Sequence, residues 1–120
     1  MVKVLFDTNI LIDYLNGQIA SGAELARFSD RAISRVTWIE VLVGAPAAQE
    51  AATRAFLRCF TMIDVDEAVA DLAVSLRRRH RLKVPDAIVW ASAQAHGRLL
   101  VTRDRKDFPA DDPGIRVPPY

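Results

Sequence analysis

The spacing of apolar residues near the start of the chain predicts a buried strand followed directly by a helix. Four of the five residues at positions 2–6 are apolar, which is typical of a parallel strand covered on both faces. Asp7, Thr8 and Asn9 follow with side-chain oxygens that suit the amino end of a helix. From Ile10 onward, apolar residues recur at helical spacing. Asp7 is therefore expected at the carboxyl end of a strand, where helix capping alone would explain its presence.

The rest of the chain alternates between strand-like and helix-like segments. Strands are predicted at residues 31–36, 61–65, 98–102 and 114–117, and helices at 10–17, 19–28, 39–44, 46–58, 66–76 and 85–97. Such alternation predicts a parallel sheet with right-handed crossovers, and hence an α/β fold. A length of 120 residues fits one domain with a substantial core, so residues 1–120 are expected to form a single domain.

Three positions can be explained by a structural role alone. The segment from Thr37 to Glu40 matches a capping box, in which Thr37 caps a helix and the Glu40 carboxylate reaches back to the N–H of the cap. Cys59, the only cysteine, has apolar neighbours and is expected to be a small buried hydrophobic residue. Asp13 falls on the first helix and is expected at the surface.

Charge and composition exclude little beyond membrane proteins. The net charge is only +1, although 13 of the 16 cations are arginines, which favour bidentate contacts with phosphates and carboxylates. The one dense basic run, residues 77–81, is expected to be a solvated helix end, with an RNA or acidic-partner contact as the alternative. No apolar run is long enough to span a bilayer, and no signal-peptide pattern is present, so a cytoplasmic protein without membrane attachment is expected.

Four acidic residues from distant parts of the sequence are predicted to meet at one edge of the sheet. Asp7 ends the first strand, Glu40 lies in the first turn after the second, and Asp104 follows the strand that ends at Thr102. Asp86 opens the helix that leads back to the start of that strand. In open α/β sheets, the carboxyl ends of the strands and the amino ends of the following helices share the rim that binds ligands.

A cluster of this kind is expected to bind a divalent cation. Two carboxylates about 4 Å apart repel by roughly 4 kcal/mol at an effective dielectric constant near 20, so four of them need protons or cations. Ligation by oxygen alone favours Mg²⁺ or Mn²⁺, and these ions can activate a water molecule for phosphodiester cleavage. Thr8, Asn9 and Thr102 could hydrogen-bond the carboxylates or serve only as caps. Asp107 could extend the site or cap a turn.

Taken together, these residues resemble the PIN-domain ribonucleases, and within them the toxins of VapBC-type toxin-antitoxin pairs. The landmarks in chain order are Asp7-Thr8-Asn9 with residues 11–15, Glu40 before Gly44, Pro85-Asp86-Ala87-Ile88, residues 100–104, and Asp107-Phe108. The likeness covers nearly the whole chain. Any one landmark is weak, but their order and spacing are specific in combination.

The resemblance implies a fold, an activity and partners. The fold is a short parallel sheet flanked by helices on both faces, and the activity is that of a Mg²⁺- or Mn²⁺-dependent endoribonuclease. The implied partners are an RNA substrate, an inhibitory VapB-type antitoxin and a second copy of the chain in a homodimer. Asp7, Glu40, Asp86 and Asp104 match the four acids of the family, and Asp107 competes with Asp104 for the fourth position.

Two other functions fit parts of the sequence. A phosphatase-like α/β fold could use Asp7 as its nucleophile, but that chemistry wants a second acid two residues later, where this chain has Asn9. A protein-binding domain without catalytic activity would use the acids only as helix caps, as the capping box suggests for Glu40. Under that last interpretation, replacing Asp7 by Asn would leave the activity of the protein in cells unchanged.

Overall fold

The computed structural model describes residues 1–120 as an alternation of strands and helices. The strands are β1 (Lys3–Phe6), β2 (Asp30–Ser34), β3 (Thr61–Ile63), β4 (Leu99–Val101) and β5 (Ile115–Arg116). The helices are α1 (Thr8–Leu15), α2 (Ile19–Ala26), α3 (Arg35–Gly44), α4 (Glu50–Leu57), α5 (Glu67–His80) and α6 (Val84–Ala95), with a short 3₁₀ helix at Ala47–Gln49.

Strand β1 lies at the centre of a five-stranded parallel sheet. The strand order is β3-β2-β1-β4-β5, and Leu5 of β1 is in register with Ala32 of β2 and Leu100 of β4. The weak edge strand expected near residue 115 is present as β5, which pairs with β4. Because all the strands run in the same direction, their carboxyl ends share one edge of the sheet, which we call the carboxyl rim.

The sheet separates two apolar cores, one on each face. One core joins the sheet to α5 and α6 and includes Leu5, Ala32, Leu100, Leu76 and Trp90. The other joins the sheet to the first four helices and includes Val4, Phe6, Ile33, Ile10, Leu25, Val41 and Leu57. Consecutive residues of β1 thus serve opposite cores, as the alternation of side chains along a strand requires. The predicted α/β fold with helices on both faces is confirmed.

The predicted capping box is wrong, because the second strand ends two residues earlier than expected. Ser34, the last residue of β2, caps α3, and its hydroxyl accepts a hydrogen bond from the N–H of Val36 at 3.2 Å. Thr37 is the third residue of the helix and is completely buried. Glu40 therefore lies well inside the helix, too far along it to reach the cap, and needs another explanation.

The region around Cys59 also differs from the sequence-based expectation. The predicted helix at 46–58 is divided into the 3₁₀ helix and α4, and Cys59 lies in the turn after α4 with its side chain exposed. Leu57 and Phe60 take the inward positions at this turn. Because the helix ends between these two residues, helical spacing no longer directs Cys59 toward the core.

The basic run lies at the carboxyl end of α5, as expected. Arg77, Arg78 and Arg79 are exposed there, and Arg81 ends the helix in a left-handed conformation with φ of 56°. None of the helices combines the length and apolar character needed to cross a bilayer.

Candidate active site

Asp7 is the buried acid at the centre of the carboxyl rim. It follows β1 directly, and only 6% of its surface is exposed. Its Oδ1 accepts a hydrogen bond from the N–H of Thr8 at 2.7 Å, and its Oδ2 accepts one from the Thr102 hydroxyl at 2.8 Å. The amide of Asn9 donates to the same Oδ2 at 3.4 Å. Both oxygens of the Asp7 carboxylate are therefore held in place by neighbouring residues.

Glu40 is linked to Asp7 through Thr8, which is itself supported by Thr37. The Thr8 hydroxyl donates to Oε1 of Glu40 at 2.6 Å and lies 2.9 Å from the hydroxyl of Thr37. Since a carboxylate can only accept, the Thr8 proton points to Glu40 and the Thr37 hydroxyl donates to Thr8. Thr8 thus contacts both acids, donating from its backbone to Asp7 and from its side chain to Glu40. Glu40 itself is exposed and faces solvent at the rim.

Asp86, Asp104 and Asp107 form a compact group of three carboxylates. One oxygen from each lies within 4.8 Å of the others. Asp86 comes from the first turn of α6, whereas Asp104 and Asp107 come from the loop after β4. The Asp104 N–H donates to the Thr102 hydroxyl at 3.0 Å, and Oδ1 of Asp104 accepts the N–H of Asp107 at 2.9 Å. The second oxygen of Asp104 has no hydrogen-bond partner.

Burial and, to a smaller extent, the negative charges at the rim raise the pKa of two of these acids. Burial raises the pKa of Asp7 to about 6, and the charges of Asp86 and Glu40 also raise it, against the lowering effect of the hydrogen bonds from Thr102 and Thr8. Burial raises the pKa of Asp86 as well, and the charges of Asp104, Asp107 and Glu40 add to that rise. Asp86 is thus influenced by acids from two other parts of the fold, the loop after β4 and helix α3.

This donor set fits a hard divalent cation. All the candidate ligands are carboxylate oxygens, the type that Mg²⁺ and Mn²⁺ prefer, and no histidine or cysteine lies in the group. A spacing within 4.8 Å is close to the separation of about 4.2 Å between opposite ligands of one Mg²⁺. A cation would also relieve the mutual repulsion that raises the pKa of Asp86.

The predicted site residues all lie at the carboxyl rim, in two subsets. Asp86, Asp104 and Asp107 form the three-carboxylate group, whereas Asp7 and Glu40 meet at Thr8 and are coupled to Asp86 by charge. Thr8, Asn9 and Thr102 each hydrogen-bond an acid or its partner in the site. Their roles in ligation and catalysis stay predictions.

One group of residues beside the site was not found from the sequence. Oδ2 of Asp13 accepts hydrogen bonds from Nη1 of Arg103 at 2.8 Å and from the Tyr120 hydroxyl at 3.0 Å. Asp13 was expected at the surface but is half-buried by these contacts. Burial raises the pKa of Tyr120 to about 12, assisted by the hydrogen bond to Asp13 and by its charge. The only sequence signal was the spacing of four residues from Asn9 to Asp13, which places both on one face of α1.

Comparison with known proteins identifies the class of fold and site. The chain belongs to the PIN domain family, whose model matches residues 4–110. Proteins of this family are generally nucleases of the hydrolase class that use divalent metals. The resemblance to PIN-domain proteins drawn from the sequence is thereby confirmed.

Several solved structures are similar to this chain over nearly its whole length. The chain is similar to one in a toxin-antitoxin complex from Klebsiella pneumoniae, with 44% identity, a TM-score of 0.92 and coverage of 97% of this chain and 98% of that chain. It is also similar to a chain in DNA-bound VapBC from Salmonella typhimurium, with 25% identity, a TM-score of 0.78 and coverage of 98% and 97%. FitAcB from Neisseria gonorrhoeae shares the fold, with 24% identity, a TM-score of 0.74 and coverage of 95% of both chains. No curated protein gives a significant match.

Proposed function

We propose that this protein is a Mg²⁺- or Mn²⁺-dependent endoribonuclease, acting in the cytoplasm as the toxin of a type II toxin-antitoxin system. The observation that carries the proposal is the grouping of Asp86, Asp104 and Asp107 within 4.8 Å, beside the buried Asp7, on a PIN-domain fold. Carboxylate oxygens at this spacing are the ligands that a hard divalent cation prefers. The 44% identity to a chain in a toxin-antitoxin complex supports the biological role.

In this proposal the five acids of the site have two roles. Asp86, Asp104 and Asp107 are its ligands, and Asp7 and Glu40 complete the negative rim on the side of α1 and α3. When bound, the divalent ion supplies Lewis acidity, which activates a water and neutralises charge on the phosphodiester. Thr8 and Thr102 keep the Asp7 carboxylate oriented, and the Thr8 hydroxyl does the same for Glu40.

The protonation state of Asp7 should affect how well the site binds the cation. With a pKa of about 6, Asp7 is partly protonated in mildly acidic solution when no cation is near. A cation at the rim favours the ionised form, so its binding displaces that proton. The site should therefore bind metal and cleave RNA better at pH 8 than at pH 5.5.

The phosphatase alternative is weakened by the surroundings of Asp7. A nucleophilic carboxylate needs one oxygen free to approach phosphorus, yet both oxygens of Asp7 are engaged by hydrogen bonds and the residue is buried. Asn9, in the place of the required general acid, donates its amide to Asp7 instead.

Two grooves, one apolar and one of mixed polarity, support the proposed protein partners. One groove lies between α5 and α6 and is lined by Val65, Val74, Val84 and Ile88 among others. The second lies where α1 approaches α3 and α4, and is lined in part by Ile12, Leu15 and Val41. A cognate VapB-type antitoxin and a second copy of the chain are the proposed occupants. Hydrogen exchange assigns them, because the antitoxin groove should gain protection when the antitoxin is added, whereas the dimer groove should lose protection when the toxin alone is diluted.

Cleavage of total cellular RNA by the purified protein is the test of the proposed enzyme. We expect discrete fragments with Mg²⁺ or Mn²⁺, none with EDTA, and none from Asp7→Asn. Asp71→Asn removes an exposed carboxylate on α5 that belongs to neither acid group of the site and is the matched control. If wild type and Asp7→Asn are equally inert with both metals, while an RNA-free protein partner copurifies from cells, the binding-domain interpretation replaces the nuclease.

A further inference from the structure

Asp13, Arg103 and Tyr120 meet beside the acidic rim, at the base of the loop that carries two of the candidate metal ligands. One carboxylate oxygen of Asp13 accepts from both Arg103 and Tyr120, at 2.8 and 3.0 Å. The guanidinium carbon of Arg103 lies 4.9 Å from the centre of the Tyr120 ring, within the range of a cation–π contact. Each of the three side chains therefore contacts the other two.

This triad fastens the loop to the first helix. Arg103 directly precedes Asp104, and its backbone N–H donates to Oδ1 of Asn9 at 3.3 Å. Arg103 is thus held to α1 twice, by its backbone at Asn9 and by its side chain one helical turn later at Asp13. Since Asn9 also contacts Asp7, the same helix face sets the distance between Asp7 and the loop.

The loop needs such a restraint because its acids repel the rest of the site. Asp104 and Asp107 face Asp86 with like charge, and one carboxylate oxygen of each of the three lies within 4.8 Å of the others. A loop free to move would relieve that repulsion by swinging outward and separating the ligands. An exposed Arg–Asp pair alone restrains little, and Arg103 is 41% exposed. The Tyr120 ring and hydroxyl add contacts to both of its members.

We propose that Asp13, Arg103 and Tyr120 form a clamp that positions Asp104 and Asp107 for the divalent cation. The clamp rests on the proposed metal-dependent nuclease, and its members are positioning residues that do not touch the cation. Loss of the clamp lets the loop relax outward in the absence of metal, so that binding has to draw it back. The cost falls on metal affinity, while the metal-saturated site keeps its geometry.

Mn²⁺ binding to the purified full chain, followed by electron paramagnetic resonance of the free ion, tests the clamp in Tyr120→Phe. We expect the Mn²⁺ dissociation constant to rise about tenfold, as is typical when a residue that orients metal ligands is removed. The Mn²⁺ concentration for half-maximal RNA cleavage should rise by the same factor, with kcat at saturating Mn²⁺ retained. Tyr14→Phe is the matched control, because the Tyr14 ring stacks on Phe56 and its hydroxyl makes no hydrogen bond.

A second pair of variants tests the contact between Arg103 and Asp13 in the clamp. Arg103→Gln should weaken Mn²⁺ binding in the same way, whereas Arg105→Gln, which alters an exposed arginine of the same loop without an ion pair, should not. If wild type binds and cleaves while both clamp variants keep its Mn²⁺ dissociation constant, even with a lowered melting temperature, the clamp is overturned alone. If wild type neither binds Mn²⁺ nor cleaves RNA, the proposed function itself has failed.

Discussion

At the scale of single residues, Asp7 carries the largest conflict between stability and function. A carboxylate with 6% exposure and acidic neighbours is unfavourable in its ionised form, which is why its pKa rises from 3.8 to about 6. Hydrogen bonds from Thr8 and Thr102 only partly offset that cost. A site of this kind is stable when protonated or when a cation is present, and strained when it has neither.

Replacing Asp7 by Asn should therefore stabilise the metal-free protein at high pH. Because the pKa is raised on folding, the contribution of Asp7 to stability is fully present below pH 3.8 and is lost as the pH rises through 6. In EDTA at pH 8, we expect Asp7→Asn to increase the free energy of unfolding by about 2 kcal/mol, within the limit of about 3 kcal/mol that the pKa change sets.

Urea unfolding at pH 4 and pH 8 measures this effect. The advantage of the variant should be present at pH 8 and nearly absent at pH 4, whereas Asp71→Asn should change little at either pH. A variant that is less stable than wild type at pH 8 would show that the hydrogen bonds of Asp7 outweigh its burial.

At the scale of secondary-structure elements, the start of α3 separates two explanations of Glu40. In a capping box, Glu40 would support the helix end, but the cap is Ser34 and the contact of Glu40 is with Thr8. Ser34→Ala should lower the free energy of unfolding by about 1 kcal/mol, the usual cost of losing an N-cap. Glu40→Gln should leave stability nearly unchanged, because its amide oxygen can still accept from Thr8, and should abolish metal-dependent cleavage.

Paired urea unfolding and RNA cleavage assays on these two variants give the result. Ser34→Ala is expected to keep its cleavage activity at a temperature where it remains folded. If Glu40→Gln instead loses stability but still cleaves RNA, Glu40 supports the fold and is not needed for cleavage.

The edge strand β5 is joined to helix α2 by an ion pair. Arg116 donates two hydrogen bonds to the 3% exposed carboxylate of Glu24 on α2, at 2.7 and 3.0 Å, and these bonds raise the pKa of Arg116. Glu24→Gln removes the charge that balances Arg116 and should cost about 2 to 3 kcal/mol, at the lower end for a buried pair because Arg116 is itself 26% exposed.

The control for this prediction is Glu50→Gln, which breaks the exposed pair with Arg54 on α4. Its cost should be no more than about 0.5 kcal/mol, as for other exposed pairs on a helix. Thermal and urea unfolding of both variants would refute the structural role of the Glu24 pair if the two losses were equal.

At the scale of the whole molecule, the proposed metal centre joins elements that lie far apart in the sequence. Helix α6 and the loop after β4 contribute the proposed ligands, so a bound cation links them, and its charge also acts on Asp7 at the end of β1. Mn²⁺ at 100 times its dissociation constant should stabilise the folded state by about 2.7 kcal/mol through mass action. The rise in melting temperature should be large at pH 8 and small at pH 5.5, because protons compete with the cation at Asp7, whose pKa is about 6.

Differential scanning fluorimetry with and without Mn²⁺ at both pH values measures this link. Asp86→Asn should remove most of the response, and Asp71→Asn should keep it. A response that is independent of pH and of Asp86 would place the cation elsewhere on the protein.

Local features of the sequence were sufficient for the order of elements and for the location of the site. Apolar runs and helical spacing identified β1 and α1, and alternation of strands with helices identified a parallel sheet. Since parallel strands end at one edge, Asp7, Asp86 and Asp104 could be assigned to the same rim without coordinates. The boundaries were less certain, because Ser34 and Thr37 are both good caps and only packing favours the former.

What the sequence by itself determined is therefore the α/β pattern, the PIN-domain resemblance and the set of acids at the rim, since all of these follow from periodicity and short motifs. The tertiary structure alone decided that Asp107 joins Asp86 and Asp104, that Glu40 meets Asp7 through Thr8, and that Asp13 holds Arg103 and Tyr120. These contacts join residues about 20 to 110 positions apart, and their distances depend on how the helices pack on the sheet. Periodicity reports which face of an element is buried, but it carries no information on which side chains meet across two elements.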